Sequence, residues 1–80
     1  MSIPVLLFAS YAEALGARRL EVQLHAPCSV RAVVEAVRAL PGGHVMPATP
    51  LVAINCDWVS IDASIAAGDE LALIPPVAGG

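Results

Sequence analysis

Not one of the 80 residues is lysine, and only four are arginine. Seven carboxylates outnumber them and leave a formal net charge of −3. Nucleic acids and anionic membrane surfaces select stripes of cations, so neither is expected as a partner. The lack of lysine also leaves no side-chain amine to accept an isopeptide bond. Tyr11 and Trp58 are too few and too separated for a stacking platform. Cys28 and Cys56 have neither metal-ligand nor Cys-x-x-Cys spacing, and one possible bridge is no disulfide framework. Both are expected as small, buried or half-buried thiols. Phosphate loops and metal motifs are missing too, and His25 and His44 read as loop histidines with no nucleophile beside them. The N-terminal apolar run has no basic flank or cleavage site, and no apolar run is long enough to cross a bilayer. A cytoplasmic chain is expected, with no bound cofactor and no metal.

What is present is apolar. Such residues make up 58% of the chain against 14% charged. Eighty residues allow one domain, spanning 1–80. One small core needs less apolar material than this, so part of it is expected on the surface, facing a protein partner.

The pattern of that material gives the elements. Residues 3–9 form a continuous apolar run of buried-strand length, with Pro4 placed as for a strand's edge or first residue. Residues 10–16 are short for a helix and read as a turn or a single helical turn closed by Gly16. Leu20, Val22 and Leu24 alternate with Glu21 and Gln23, as in a half-buried strand. Ser29 is placed to cap a helix whose apolar face is Val30, Val33, Val34, Val37 and Leu40. Arg31, Glu35 and Arg38 lie off that face, the last two close enough to pair weakly. Pro41-Gly42-Gly43 ends the helix. A short strand over 51–54, an Asn55-Cys56-Asp57 turn, Trp58-Val59, a buried Ile65 and a turn at 67–70 lead into a final strand over 71–74. Hairpins at both ends around one helix imply an α+β fold, a mixed sheet packed on one main helix.

The chain's end is the candidate site. Two prolines, Pro75 and Pro76, hold the approach extended, and Val77 and Ala78 lead to Gly79 and Gly80, which lack Cβ and fit narrow slots. Residues 75–80 are expected as an extended, mobile tail that delivers the Gly80 carboxylate into another protein. A carboxylate is a poor electrophile until it is made an acyl phosphate or acyl adenylate. Attack by a sulfur donor on that anhydride leaves a thiocarboxylate, a nucleophile able to pass sulfur on. This chemistry requires no catalytic side chain in the chain itself.

The opening Val5-Leu6-Leu7-Phe8-Ala9 with Glu13 and Gly16, the Ala53-Ile54-Asn55 segment, and above all residues 67–72 and 75–80 carry a resemblance. Together they resemble the small, sulfur-carrying subunit of molybdopterin synthase, a ubiquitin-like β-grasp family. The resemblance implies that an adenylyltransferase of the ubiquitin-activating type uses ATP to adenylate Gly80, and that a sulfur donor system then converts it to a thiocarboxylate. The loaded tail would enter the large catalytic subunit of molybdopterin synthase in a heterotetramer, donating sulfur to cyclic pyranopterin monophosphate. Catalytic side chains would belong to that large subunit. Gly80 would hold the sulfur, Gly79 permit passage, and Pro75, Pro76, Val77 and Ala78 form the inserted tail. Phe8 and Ile74 would meet the partner, with Ile74 standing where many members have an aromatic residue. Two other readings stay open: a sulfur carrier for thiamine or cysteine biosynthesis, and a ubiquitin-like protein-conjugating modifier or interaction module.

Overall fold

Apolar runs at both ends of the chain pair with each other in the middle of one sheet. The computed structural model describes residues 1–76. In it β1 (Ser2–Leu7) runs antiparallel to β2 (Arg19–Gln23). After β3 (Cys28–Ser29), β4 (Leu51–Ile54), β5 (Asp57–Val59) and β6 (Ser64–Ile65), the last strand β7 (Leu71–Ile74) lies parallel to β1 and antiparallel to β4. The main sheet has the order β2-β1-β7-β4-β5, and β3 and β6 form a separate two-stranded sheet. Two helices complete it, α1 (Ala9–Leu15) and α2 (Val30–Arg38). The result is an α+β, ubiquitin-like β-grasp.

The core lies between α2 and one face of the sheet. Val30, Val33, Val34 and Val37 are each 0% exposed, meeting Ile3, Val5, Leu7, Val52, Leu71 and Leu73 in one cluster. Valine is a modest helix former, but each fully buried valine gains about 1.5–3 kcal/mol over exposure, and packing wins. Leu40 does not join the stripe. The helix stops at Arg38 and Leu40 is left exposed. Met46, carried by the turn after a short 3-10 helix over Gly43–Val45, is buried in its place. Gly42 permits that turn, with φ of +87° and a backbone so close to the Ala14 carbonyl that a Cβ would collide with it.

Several local expectations are revised. Residues 9–15 make a two-turn helix rather than a single turn, and Gly16 closes it in the left-handed conformation as expected. Ser29 stands at the N-cap position but its hydroxyl makes no capping bond. The first free amides of α2 are taken instead by backbone: Val30 N–H donates to Ala63 O and Arg31 N–H to Ile61 O, both at 2.9 Å. Arg38 does not pair with Glu35 but donates through Nε to the Met46 carbonyl at 3.0 Å. Arg31 is held by Asp62 at 2.8 Å, which raises its pKa further above the usual arginine value. Cys28 is half-buried, as read, whereas Cys56 is exposed because it occupies the tip of the β4–β5 turn. Pro4 lies in an internal strand, tolerated because pairing with β7 begins only at Val5.

Candidate functional site

Alternate residues of a strand point to opposite faces, so the register that buries Leu7 and Leu73 turns their neighbours outward. Leu7 pairs with Leu73, and each continues by one residue, to Phe8 and Ile74. Ile74 is in turn the partner of Leu51 on β4. Phe8, Ile74 and Leu51 therefore form a row across three strands at the point where β7 ends. Phe8 is 45% and Leu51 50% exposed, and Ile74 is half-buried. One pleat lower, Leu6 pairs with Ala72, Ala72 with Ala53, and Ala53 with Trp58. Trp58 is 65% exposed, the most open large apolar side chain among the described residues. The small Ala72 and Ala53 leave a shallow floor between Leu6 and the indole.

Among the described residues no helix lies over this face, and its rim on β2 is polar. Arg19, paired with Leu6, reaches Glu21 at 3.3 Å and Glu70 at 3.5 Å. Both contacts are well exposed and add little stability. An apolar centre with a charged border is how protein-docking surfaces are built. The chain leaves it through Pro75, half-buried, and Pro76, exposed. The candidate tail residues Val77, Ala78, Gly79 and Gly80 lie outside the described residues.

The two motifs flanking the last strand prove to be partners. Asn55 sits in the left-handed region with φ of +49°. Its Nδ2 donates to Asp69 Oδ1 at 3.0 Å and its Oδ1 accepts from the Glu70 amide at 3.1 Å. Asp69 accepts from the Ala66 amide at 2.9 Å, and the Asn55 amide donates to Glu70 O at 3.0 Å. The β4–β5 turn is thus clasped to the turn that starts β7, fixing that strand's register and the level at which the tail leaves. Asn55, Asp69 and Glu70 are structural positions rather than reacting ones.

Of the sequence-derived site residues, Phe8, Ile74, Pro75 and Pro76 are brought to one edge of the molecule. Leu51 and Trp58 join them and were not foreseen. Trp58 had a signal, as a large apolar residue between polar Asp57 and the partly buried Val59, whereas Leu51 was hidden in a uniformly apolar run. Among the described residues no group of three or more His, Cys, Asp or Glu side chains is placed to hold a metal ion, and no helix is long and apolar enough to cross a membrane. The one group of unusual acidity in the interior, the Tyr11 phenol raised by burial, belongs to the core and not to this face.

Comparison with known proteins agrees with the geometry. Residues 5–80 match the sequence profile of the ThiS family. The chain belongs to that family. It is therefore a member of the ubiquitin-like sulfur-carrier superfamily, and the match runs through the terminal glycines. Among solved structures it is similar to SAMP1 from Haloferax volcanii, at 30% identity over 100% of both chains with a TM-score of 0.85. A second structure from that organism, titled small archaeal modifier protein 1, agrees at 27% identity, with 95% of this chain and 98% of that one covered and a TM-score of 0.84. Its fold is also that of a putative molybdopterin converting factor subunit 1 from Pyrococcus furiosus, at 21% identity, with 96% of this chain and 99% of that one covered and a TM-score of 0.81. A chain from the complex of subunits 1 and 2 of the molybdopterin-converting factor of Helicobacter pylori 26695 shares it at 17% identity, 100% coverage of both and a TM-score of 0.72. Comparison with curated proteins gives no match.

Proposed function

We propose that the chain is a C-terminally activated carrier that also serves as a protein modifier. An adenylating enzyme of the ubiquitin-activating type joins the Gly80 carboxylate to AMP from ATP, releasing pyrophosphate. The acyl adenylate then meets a nucleophile. A sulfur donor gives the thiocarboxylate and AMP, and an amine of another protein gives an amide and AMP. In both cases the C–O bond to phosphate breaks and the incoming atom takes its place. The observation that carries this reading is the row of exposed Phe8 and Leu51 flanking half-buried Ile74 at the exit of β7. A partner seated on it holds the body of the carrier and receives the residues that follow Pro76. The sheet face supplies binding and the tail supplies the reacting group, so no acid, base or metal is required here.

The comparisons favour the modifier over the molybdopterin synthase subunit, the first implication of the sequence resemblance. A modifier protein is matched at 30% and 27% identity over 100% and 95% of this chain, whereas the two molybdopterin-converting factors share the fold at 21% and 17%. The second reading, sulfur donation to cyclic pyranopterin monophosphate inside a large subunit, is supported by the sequence Pro75-Pro76-Val77-Ala78-Gly79-Gly80 and by Phe8 and Ile74 standing where β7 ends. Sulfur donation in thiamine or cysteine biosynthesis fits the same family.

The test is the intact mass of the chain after incubation with an adenylating enzyme, ATP and a sulfur donor. A gain of sulfur for oxygen at Gly80 is expected. The loaded protein is then offered either a lysine-bearing protein or the large subunit with the cyclic pterin. An amide adduct supports the modifier, dithiolene formation supports the synthase subunit, and no mass gain under conditions that load an authentic carrier overturns both.

A further inference from the structure

The open face of the sheet is ordered in three ranks across the strands. The upper rank is Phe8, Ile74 and Leu51, and the middle one runs Arg19, Leu6, Ala72, Ala53 and Trp58. The lower rank is acidic. Pro4 pairs with Glu21 on β2 and Val5 with Leu71 on β7, so Glu70 falls on the other side of Pro4, with Asn55 and Asp69 clasped beside it. Successive ranks are two residues apart, so about 13 Å of strand separates the acids from the upper rank.

Side-chain charge is sorted along the same lines. Glu13 and Arg18 border one cleft beside α1, Asp62 holds Arg31, and Glu35 and Arg38 share α2, so the helical side carries no net charge. The formal charge of −3 therefore falls on the sheet and its turns, as Glu21, Asp57, Asp69 and Glu70 against Arg19. Arg19 reaches Glu21 at 3.3 Å and Glu70 at 3.5 Å, yet those two side chains stay 49% and 45% exposed. Contacts so open cost little to give up, and an incoming cation can take either acid and push Arg19 aside.

We propose that this face is a polarised seat for the adenylating enzyme, which sets an apolar surface against Phe8, Ile74, Leu51 and Trp58 and a cationic one against Glu21 and Glu70. It rests on the carrier reading above, and the adenylating enzyme is the partner that every form of that reading shares. The two chemistries fix the orientation of docking. A partner turned end for end would bury its cations on the apolar rank, and unpaired buried charge is costly, so only one orientation brings the end of β7 to the reacting side. The acids act before contact as well, by steering the enzyme's cations from a distance. Arg19 screens them in the free chain and is displaced on docking.

The test is the association rate of the full chain with the adenylating enzyme that loads it in the mass assay, measured by biolayer interferometry without ATP, so that binding is read apart from reaction. At low salt E21Q/E70Q is expected to slow association about tenfold, and salt at about 0.5 M should erase most of that difference. E13Q/E35Q removes the same charge from the helical side and is expected to stay within about twofold of the unaltered chain. R19Q should associate about threefold faster, since it uncovers both acids. Melting temperatures of all three should match that of the unaltered chain, because the contacts removed are open to solvent. E21Q/E70Q associating like the unaltered chain at low salt would overturn the proposal. So would E13Q/E35Q slowing as much as E21Q/E70Q, which would mean that net charge alone is sensed, or R19Q associating more slowly, which would put an enzyme carboxylate on Arg19. All three outcomes leave the carrier reading standing. An enzyme that loads an authentic carrier but neither binds nor loads this chain would sink that reading and the seat with it.

Discussion

Leu73 and Ile74 are neighbours on one strand and similar in size, yet Leu73 is 0% exposed while Ile74 is only half-buried, in a row with the exposed Phe8 and Leu51. The same contrast runs along β1, where Leu7 is buried and Leu6 is not, and along β4, where Val52 is buried and Leu51 is exposed. The two faces of the sheet are thus both apolar, and only one has a helix on it. Hydrophobicity by itself does not separate a core from a docking face in a chain that carries both. Period-two alternation separates them once the covered face is known.

That comparison is breakable. On the covered face, Leu73→Ala should cost about 2–5 kcal/mol, a large part of the stability of a domain this small, read as a shift of the urea or thermal midpoint. A loss below 1 kcal/mol would mean that the helix-facing side is not the principal core. On the open face, Trp58→Ala should change stability by less than about 1 kcal/mol while weakening the complex with the activating or receiving partner by about 2 kcal/mol, roughly thirtyfold in Kd. Equal affinity in calorimetry would move the docking surface elsewhere.

Asn55 tests what holds the two faces in register. Asn55→Ala should lose about 1–2 kcal/mol by removing the amide's bonds to Asp69 and Glu70 and by placing a less tolerant residue at φ of +49°. Asn55→Gly relieves the second cost only, so it should lie between alanine and the unaltered chain in urea titrations.

The smallest effect is expected inside the core. The Tyr11 hydroxyl is buried with no hydrogen-bond partner among the described residues, so Tyr11→Phe should be neutral or slightly stabilising at neutral pH. Burial raises the phenol's pKa, so the folded state favours the protonated form. That contribution is complete below the unfolded value of about 10 and is lost as pH rises through the raised folded value. Tyr11 is the chain's one tyrosine, and the phenylalanine variant should lack this alkaline loss in stability measured against pH.

Much of this was legible before folding. The valine stripe of α2, the β4 strand, the Asn55 turn and the turn before β7 follow from spacing and turn chemistry, which act over a few residues. The N-cap of α2 was only half legible. Serine marks the position, but the amides of Val30 and Arg31 donate to the carbonyls of Ala63 and Ile61, far away in the chain. Likewise the continuous run over residues 3–7 of β1 hid its alternation, because its residues are apolar on both faces.

Residue types alone establish that the chain carries more apolar material than one core absorbs, that none of its 80 residues is lysine, and that residues 75–80 are a proline-led run to Gly-Gly. These are properties of residue types and need no contacts. Folding selects which half of that apolar surface stays open and joins Leu51 and Trp58 to Phe8 and Ile74. The reason is that strand pairing is non-local: the parallel register of β1 with β7 is set by the shared core beneath α2, and no short stretch of sequence contains it.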